Sequence, residues 1–115
     1  MTVLVRNPTI DIQVTEPETG VNAFWIAAFY GHGGVMKVLA EKGIDIFNHN
    51  KITGSNALHI STQKNFTNVV QMLVRSKFYL EIPRKDGLTA LGIACLKKES
   101  YPIVRILLKA GANPN

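Results

Sequence analysis

Gly20-Val-Asn-Ala-Phe-Trp-Ile-Ala-Ala-Phe-Tyr-Gly-His-Gly-Gly-Val-Met-Lys-Val-Leu-Ala-Glu-Lys-Gly43 is written twice more, with changes, along the chain. The second copy runs Gly54-Ser-Asn-Ala-Leu-His-Ile-Ser-Thr-Gln-Lys-Asn-Phe-Thr-Asn-Val-Val-Gln-Met-Leu-Val-Arg-Ser-Lys77. The third opens as Gly87-Leu-Thr-Ala-Leu-Gly-Ile-Ala-Cys95 and closes as Ile103-Val-Arg-Ile-Leu-Leu-Lys-Ala-Gly111-Ala-Asn-Pro-Asn115. The leading glycines step by 34 and 33 residues, and the later Val35, Val69 and Ile103 step by 34 and 34. The third copy therefore holds one extra residue between Lys98 and Tyr101. A fixed period in this range is the signature of a stacked-repeat architecture.

Each copy has the same local grammar. A short apolar segment comes first: Ala23 to Tyr30, Ala57 to Gln63 and Ala90 to Leu96. A turn follows, marked by Gly31 and Gly33-Gly34, by Asn65, or by Lys98-Glu99-Ser100 ahead of Pro102. The next segment places Val35, Val38 and Leu39 at i, i+3 and i+4, as it does Val69, Met72 and Leu73, and Ile103, Ile106 and Leu107. That spacing predicts a helix with one buried face. Gly43 and Gly111 stand where a helix end wants a left-handed residue. Lys77 holds that place in the second copy and is expected to strain or alter the cap. Extended stretches, 44–53 and 78–86, then close in Thr-Gly or Asp-Gly and predict hairpin-like turns.

This grammar resembles the ankyrin repeat. The family's Thr-Pro-Leu-His-x-Ala helix start is represented by Asn22-Ala-Phe-Trp-Ile-Ala27, Asn56-Ala-Leu-His-Ile-Ser61 and Thr89-Ala-Leu-Gly-Ile-Ala94, with alanine for proline in all three. Gly31-His32 keeps the family's turn. Leu107-Leu-Lys-Ala-Gly-Ala-Asn-Pro-Asn115 is close to its Leu-Leu-x-x-Gly-Ala-Asp-x-Asn ending. The shared phase covers about 100 of the 115 residues. The resemblance implies an all-α solenoid of stacked helix-turn-helix units with projecting hairpin loops. The expected division is a preceding unit's tail over 1–15, then repeats over 16–50, 51–83 and 84–115. His59 can make the family's hydrogen bond to neighbouring loop backbone. Trp25 and Gly92 cannot do so in the same way, so Trp25 is expected to pack by area. Asn22 and Asn56 can cap helices where the family uses threonine.

The ends read as unfinished. Ile10-Asp11-Ile12-Gln13 resembles the tail of a preceding unit, and Asn115 falls where another hairpin begins. Neither end shows the polar cap that solenoids use to cover their outer faces. The expectation is an excerpt of a longer array, or an unusually short one, either monomeric or set within that longer array.

Composition narrows the function classes. Hydrophobic residues make up 46% and charged residues 18%, a folded, soluble mix. The longest apolar run, Phe24 to Tyr30, is seven residues, against about twenty for a membrane span. Met1-Thr-Val-Leu-Val-Arg6, with Pro8 behind it, lacks a signal-peptide core. A cytoplasmic or nuclear location is expected. Cys95 is the one cysteine, so no intrachain disulfide forms; alanine is usual at its position, and a small buried residue is expected. His32, His49 and His59 fall at a turn, a hairpin and a helix start, without a nucleophile or enough ligands for a metal. Gly31-His-Gly-Gly34 joins two helices rather than a strand and a helix, so no phosphate loop is read there. No catalysis, metal or cofactor is expected.

What remains is binding. In the ankyrin family, partners usually contact the hairpin tips and the exposed side of the first helix. By position this implies Phe29, Tyr30, Gln63, Lys64, Leu96 and Lys97 from the helices. The hairpins would add Glu18, Thr19 and Val21, then Ile52, Thr53 and Ser55, then Lys85, Asp86 and Leu88. Phe29 and Tyr30 are aromatics the fold does not require, and such residues anchor interfaces; the alternative is packing beneath a hairpin. Net charge is −2 over residues 1–50 and +7 over 51–115. Lys64, Lys85 and Lys97, with Arg84 nearby, could line one groove and favour a protein partner with an acidic segment. The other readings are a basic binder of nucleic acid or anionic membrane, without base-reading or stacking residues to support nucleic acid, and a spacer in a larger protein.

Overall fold

In a computed structural model, residues 12–113 are described. The Met1–Arg6 start, Pro8, the Ile10-Asp11 half of the expected tail, and Asn115 lie outside them. Six α-helices are present among the described residues, in three pairs. They are α1 (Ala23–Phe29) with α2 (Gly33–Glu41), α3 (Ala57–Gln63) with α4 (Thr67–Arg75), and α5 (Ala90–Cys95) with α6 (Tyr101–Lys109). The extra residue of the third copy forms a 3₁₀ turn, Lys98–Ser100, ahead of α6. First helices pack on first helices and second helices on second helices, so two helical layers stack side by side. The body measures 44 × 26 × 21 Å.

Local chemistry starts each pair. The Asn22 side chain accepts the Trp25 N–H at 3.0 Å, and Asn56 accepts the His59 N–H at 2.9 Å. Each removes an orphan donor from a helix N-terminus, a contribution of about 1 kcal/mol. The intervening turn sits at Gly31 (φ +74°) and at Asn65 (φ +63°). Gly33 and Gly34, expected in that turn, instead open α2. The predicted periodicity holds for α4 and α6, where Val69, Leu73, Ile103 and Leu107 are buried. It fails for α2: Val35 and Val38 are exposed, and Met36, outside the predicted set, is the buried residue. Met36, Leu58, Val69, Val70, Ile103 and Leu107 are fully buried between the layers.

The loops are hairpin-like without forming strands among the described residues. Glu16 N–H donates to Val21 O at 2.8 Å, Asn50 N–H to Ser55 O at 2.8 Å, and Arg84 N–H to Leu88 O at 2.9 Å. The third loop is one residue shorter, which accounts for the step of 33. Neighbouring loops join edge to edge, with Lys51 N–H on Thr19 O at 2.7 Å and Lys85 N–H on Thr53 O at 3.0 Å. Gly54 permits this approach: it has φ +79°, and a Cβ there would lie 2.8 Å from the Lys85 nitrogen.

The expectation for Cys95 is overturned. Cys95 is exposed rather than buried in the core. Its register equivalents Ala28 and Thr62 are fully buried, because the following helix pair covers each of them. No such pair covers Cys95 among the described residues. Lys77 strains its cap without altering it, keeping the left-handed backbone of Gly43 and Gly111 at φ +60°.

Two substitutions test these local balances by chemical denaturation. Lys77→Gly relieves the left-handed strain and is expected to raise stability by about 0.5–1 kcal/mol. Thr62→Val removes a buried hydroxyl that has no partner and keeps the shape; a gain of about 1 kcal/mol is expected.

Candidate partner-binding surface

The first helices carry their candidate functional side chains on the end nearest the turns, and in the first two repeats the following loop is fixed beside them by hydrogen bonds between residues distant in sequence. His59 Nδ1 accepts the Asn56 N–H at 2.9 Å, and its Nε2 lies 2.7 Å from Ile82 O in the next loop. This is the loop contact expected of His59. Trp25, one period earlier, departs from expectation. It is buried by area, and its Nε1–H also donates to Ser55 O at 2.8 Å. Indole and imidazole thus perform one task, tying a first helix to the loop that follows.

These ties change the candidate surface. Ser55, expected at a hairpin tip, is 3% exposed, because its carbonyl receives the indole while Thr53 covers its hydroxyl. Val21 is buried as well, and Leu88 is half-buried. Ile52, Thr53, Lys85 and Asp86 remain at the tips, exposed.

The first-helix ends form two rows. Phe29, Gln63 and Leu96 make one; Tyr30, Lys64 and Lys97 make the other. Phe29 is half-buried. Its ring stacks on Trp25 at 5.7 Å, meets Tyr30 edge-on at 5.0 Å, and lies 4.3 Å beneath the Lys64 ammonium. The packing alternative therefore describes Phe29, while Tyr30 stands 61% exposed, stacked against His32. Leu96 is 74% exposed.

The lysines expected to line a groove all reach back onto the preceding repeat. Lys64 covers Phe29. Lys85 Nζ donates to Lys51 O, and Lys97 Nζ donates to Gln63 O. Arg84 forms a two-toothed pair with Asp86, at 3.2 and 2.7 Å, and also donates to Gln63 Oε1 at 3.2 Å. The Asp86 carboxyl is held below its ordinary value by the Arg84 hydrogen bond first and by the Leu88 N–H second. Glu16 is lowered similarly, by the hydroxyl and then the N–H of Thr19. The sequence carried no signal for the contacts of Lys64, Lys85, Lys97 and Arg84 with the preceding repeat, which join residues 21 to 35 positions apart.

With this geometry in place, the comparisons are direct. The model describing ankyrin repeats in three copies matches residues 24–115, and the chain belongs to the ankyrin repeat family. Such repeats are generally protein–protein interaction modules. The human protein named Inhibitor of Bruton tyrosine kinase is 29% identical over 86 residues, covering 75% of this chain and 6% of that protein. The chain thus spans a small part of that relative's length. Among the described residues no helix is long and apolar enough to cross a membrane, and no cluster of three or more His, Cys, Asp or Glu could hold a metal ion.

His59 makes the scaffold sensitive to acid. Burial drives its pKa from 6.5 to about 4, against the raising effect of its bond to Ile82 O. Protonation would also set an N–H at Nδ1 against the Asn56 N–H. The folded pKa is depressed, so between pH 6.5 and about 4 the unfolded chain binds more protons. Stability from neutral His59 is complete above that window and falls by roughly 3 kcal/mol across it. Thermal midpoints across the window should drop steeply for the native chain. They should flatten for His59→Gln, which can make both bonds without titrating.

Proposed function

We propose that the chain is a non-catalytic protein-binding module of the cytoplasm or nucleus, with repeats over 16–50, 51–83 and 84–115. Its partner seats against the first-helix ends and the loop tips. The observation carrying this reading is the exposure of three large apolar side chains at 61% for Tyr30, 64% for Ile52 and 74% for Leu96. All three stand on a rigidly tied frame, which lowers the ordering cost of binding. Phe29 acts beneath them as support. Gln63, Lys64, Thr53, Lys85, Asp86 and Lys97 form the polar rim. Leu88 and Ser55 hold the loops.

Lys64, Arg84, Lys85 and Lys97 are already bonded inside the array, so recognition here rests on apolar contact before charge. The human relative is by its name an inhibitor of a tyrosine kinase. Its match to this chain is too small a part of it to choose a partner.

The test is affinity capture from native lysate followed by mass spectrometry. The native chain is compared with Tyr30→Ala/Leu96→Ala, both positions being exposed and the variant's helicity checked by circular dichroism. A protein recovered by the first bait at high salt and lost by the second is expected. Equal recovery by both baits, or recovery that vanishes with salt as nucleic-acid binding does, would overturn the reading.

A further inference from the structure

Of the cations in residues 51–115 whose side chains make no hydrogen bond or ion pair among the described residues, Lys51, Lys77 and Lys98 stand on loops and the 3₁₀ turn, and three lie on the other layer. In the +7 half, Lys64, Arg84, Lys85 and Lys97 are all bonded within the array. The side chains of Arg75, Arg105 and Lys109 make no hydrogen bond or ion pair among the described residues. All three sit on the second helices. Arg105 and Lys109 are one turn apart on α6, and Arg75 follows Gln71 by one turn on α4, so each pair shares a helix face.

Between these faces runs a cleft of about 470 Å³, lined by Gln71, Val74, Pro102, Arg105, Ile106 and Lys109. Val74 and Ile106 are half-buried and form its floor, while Arg105 and Lys109 are exposed and form its rim. An apolar floor under an uncompensated cationic rim is complementary to one kind of ligand. The geometry points to a second docking surface on the outer helices, for an acidic peptide segment of a partner protein that carries an apolar side chain between its carboxylates.

The arrangement fits other anions poorly. The floor offers no aromatic platform on which a base could stack. A flat bilayer cannot reach apolar atoms recessed between two helices, whereas a single protruding leucine can. The last turns of α4 and α6 add helix-dipole attraction for cations on the protein, which fixes Arg75 and Lys109 there. They do not cancel the rim's charge toward a ligand.

The test titrates the full chain with a fluorescein-labelled peptide of glutamates around a central leucine pair, read by anisotropy. A peptide with serine in place of the leucines, a DNA duplex and phosphatidylserine vesicles serve as the other arms. Saturable peptide binding is expected, weakened about tenfold or more by Arg105→Glu/Lys109→Glu. Removing the leucines should weaken it about tenfold as well. Tyr30→Ala/Leu96→Ala should leave it unchanged, so the two surfaces can fail separately. The proposal is overturned by absent peptide binding, by binding indifferent to the charge reversal or to the leucines, or by tighter binding of DNA or vesicles. Circular dichroism of each variant establishes that it is folded.

Discussion

The structure depends on one contact repeated with different chemistry: a first-helix side chain hydrogen-bonded to the backbone of the next loop. Trp25 reaches Ser55 O, and His59 reaches Ile82 O. Both side chains are buried, so each bond forms away from competing water and leaves no orphaned polar atom. The bond also fixes where the loop stands. The Lys51–Thr19 and Lys85–Thr53 backbone bonds between neighbouring loops require that placement. Gly92, at the same register in the third repeat, has no side chain with which to continue the series. Leu88 lies where its Cβ would project, 3.1 Å away.

A second constraint runs in the opposite direction. Lys64, Lys85 and Lys97 each return to the repeat before their own. Repeat proteins hold together through nearest-neighbour interfaces, and these lysines are part of that interface rather than spectators on it. A cation above an aromatic ring contributes about 0.5–1 kcal/mol when exposed, and a charged donor to a carbonyl about 1.5–3 kcal/mol before solvent screening. The formal charge of a segment therefore says little about what it presents to a partner. In residues 51–115 Lys64, Arg84, Lys85 and Lys97 are engaged within the array, and Arg75, Arg105 and Lys109 on the second helices are not.

The fold was legible because its signals are local and repeat in phase. The i, i+3, i+4 pattern gave the α2, α4 and α6 helices, though not the buried face of α2, the asparagines gave two caps, and the unequal steps located the inserted turn. What escaped the sequence lies between repeats. Cys95 reads as core from its neighbours in the chain, yet its burial would depend on a helix pair beyond it. Ser55 reads as a loop-tip residue, yet a tryptophan 30 positions earlier draws its carbonyl inward. Tyr30 and Phe29 are adjacent and alike in sequence. The ammonium of Lys64 and the ring of Trp25 separate them into a support and an exposed residue.

The loop ends show how far the chemistry can drift while the geometry holds. Gln13 accepts the Asp45 N–H at 3.2 Å, and Glu81 accepts the Asn113 N–H at 2.8 Å, across the same step of 32 residues. Between them, Phe47 stacks on Tyr79 at 5.0 Å over the identical step. An amide, a ring and a carboxylate thus occupy one structural position, two working by hydrogen bonds and one by ring stacking. Departures from a family signature at such positions preserve the stack and carry no message about partners. The message belongs to positions that no neighbouring repeat engages. On the binding surfaces proposed above, those positions include the Tyr30, Ile52 and Leu96 side chains on one layer and the Arg105 and Lys109 rim on the other.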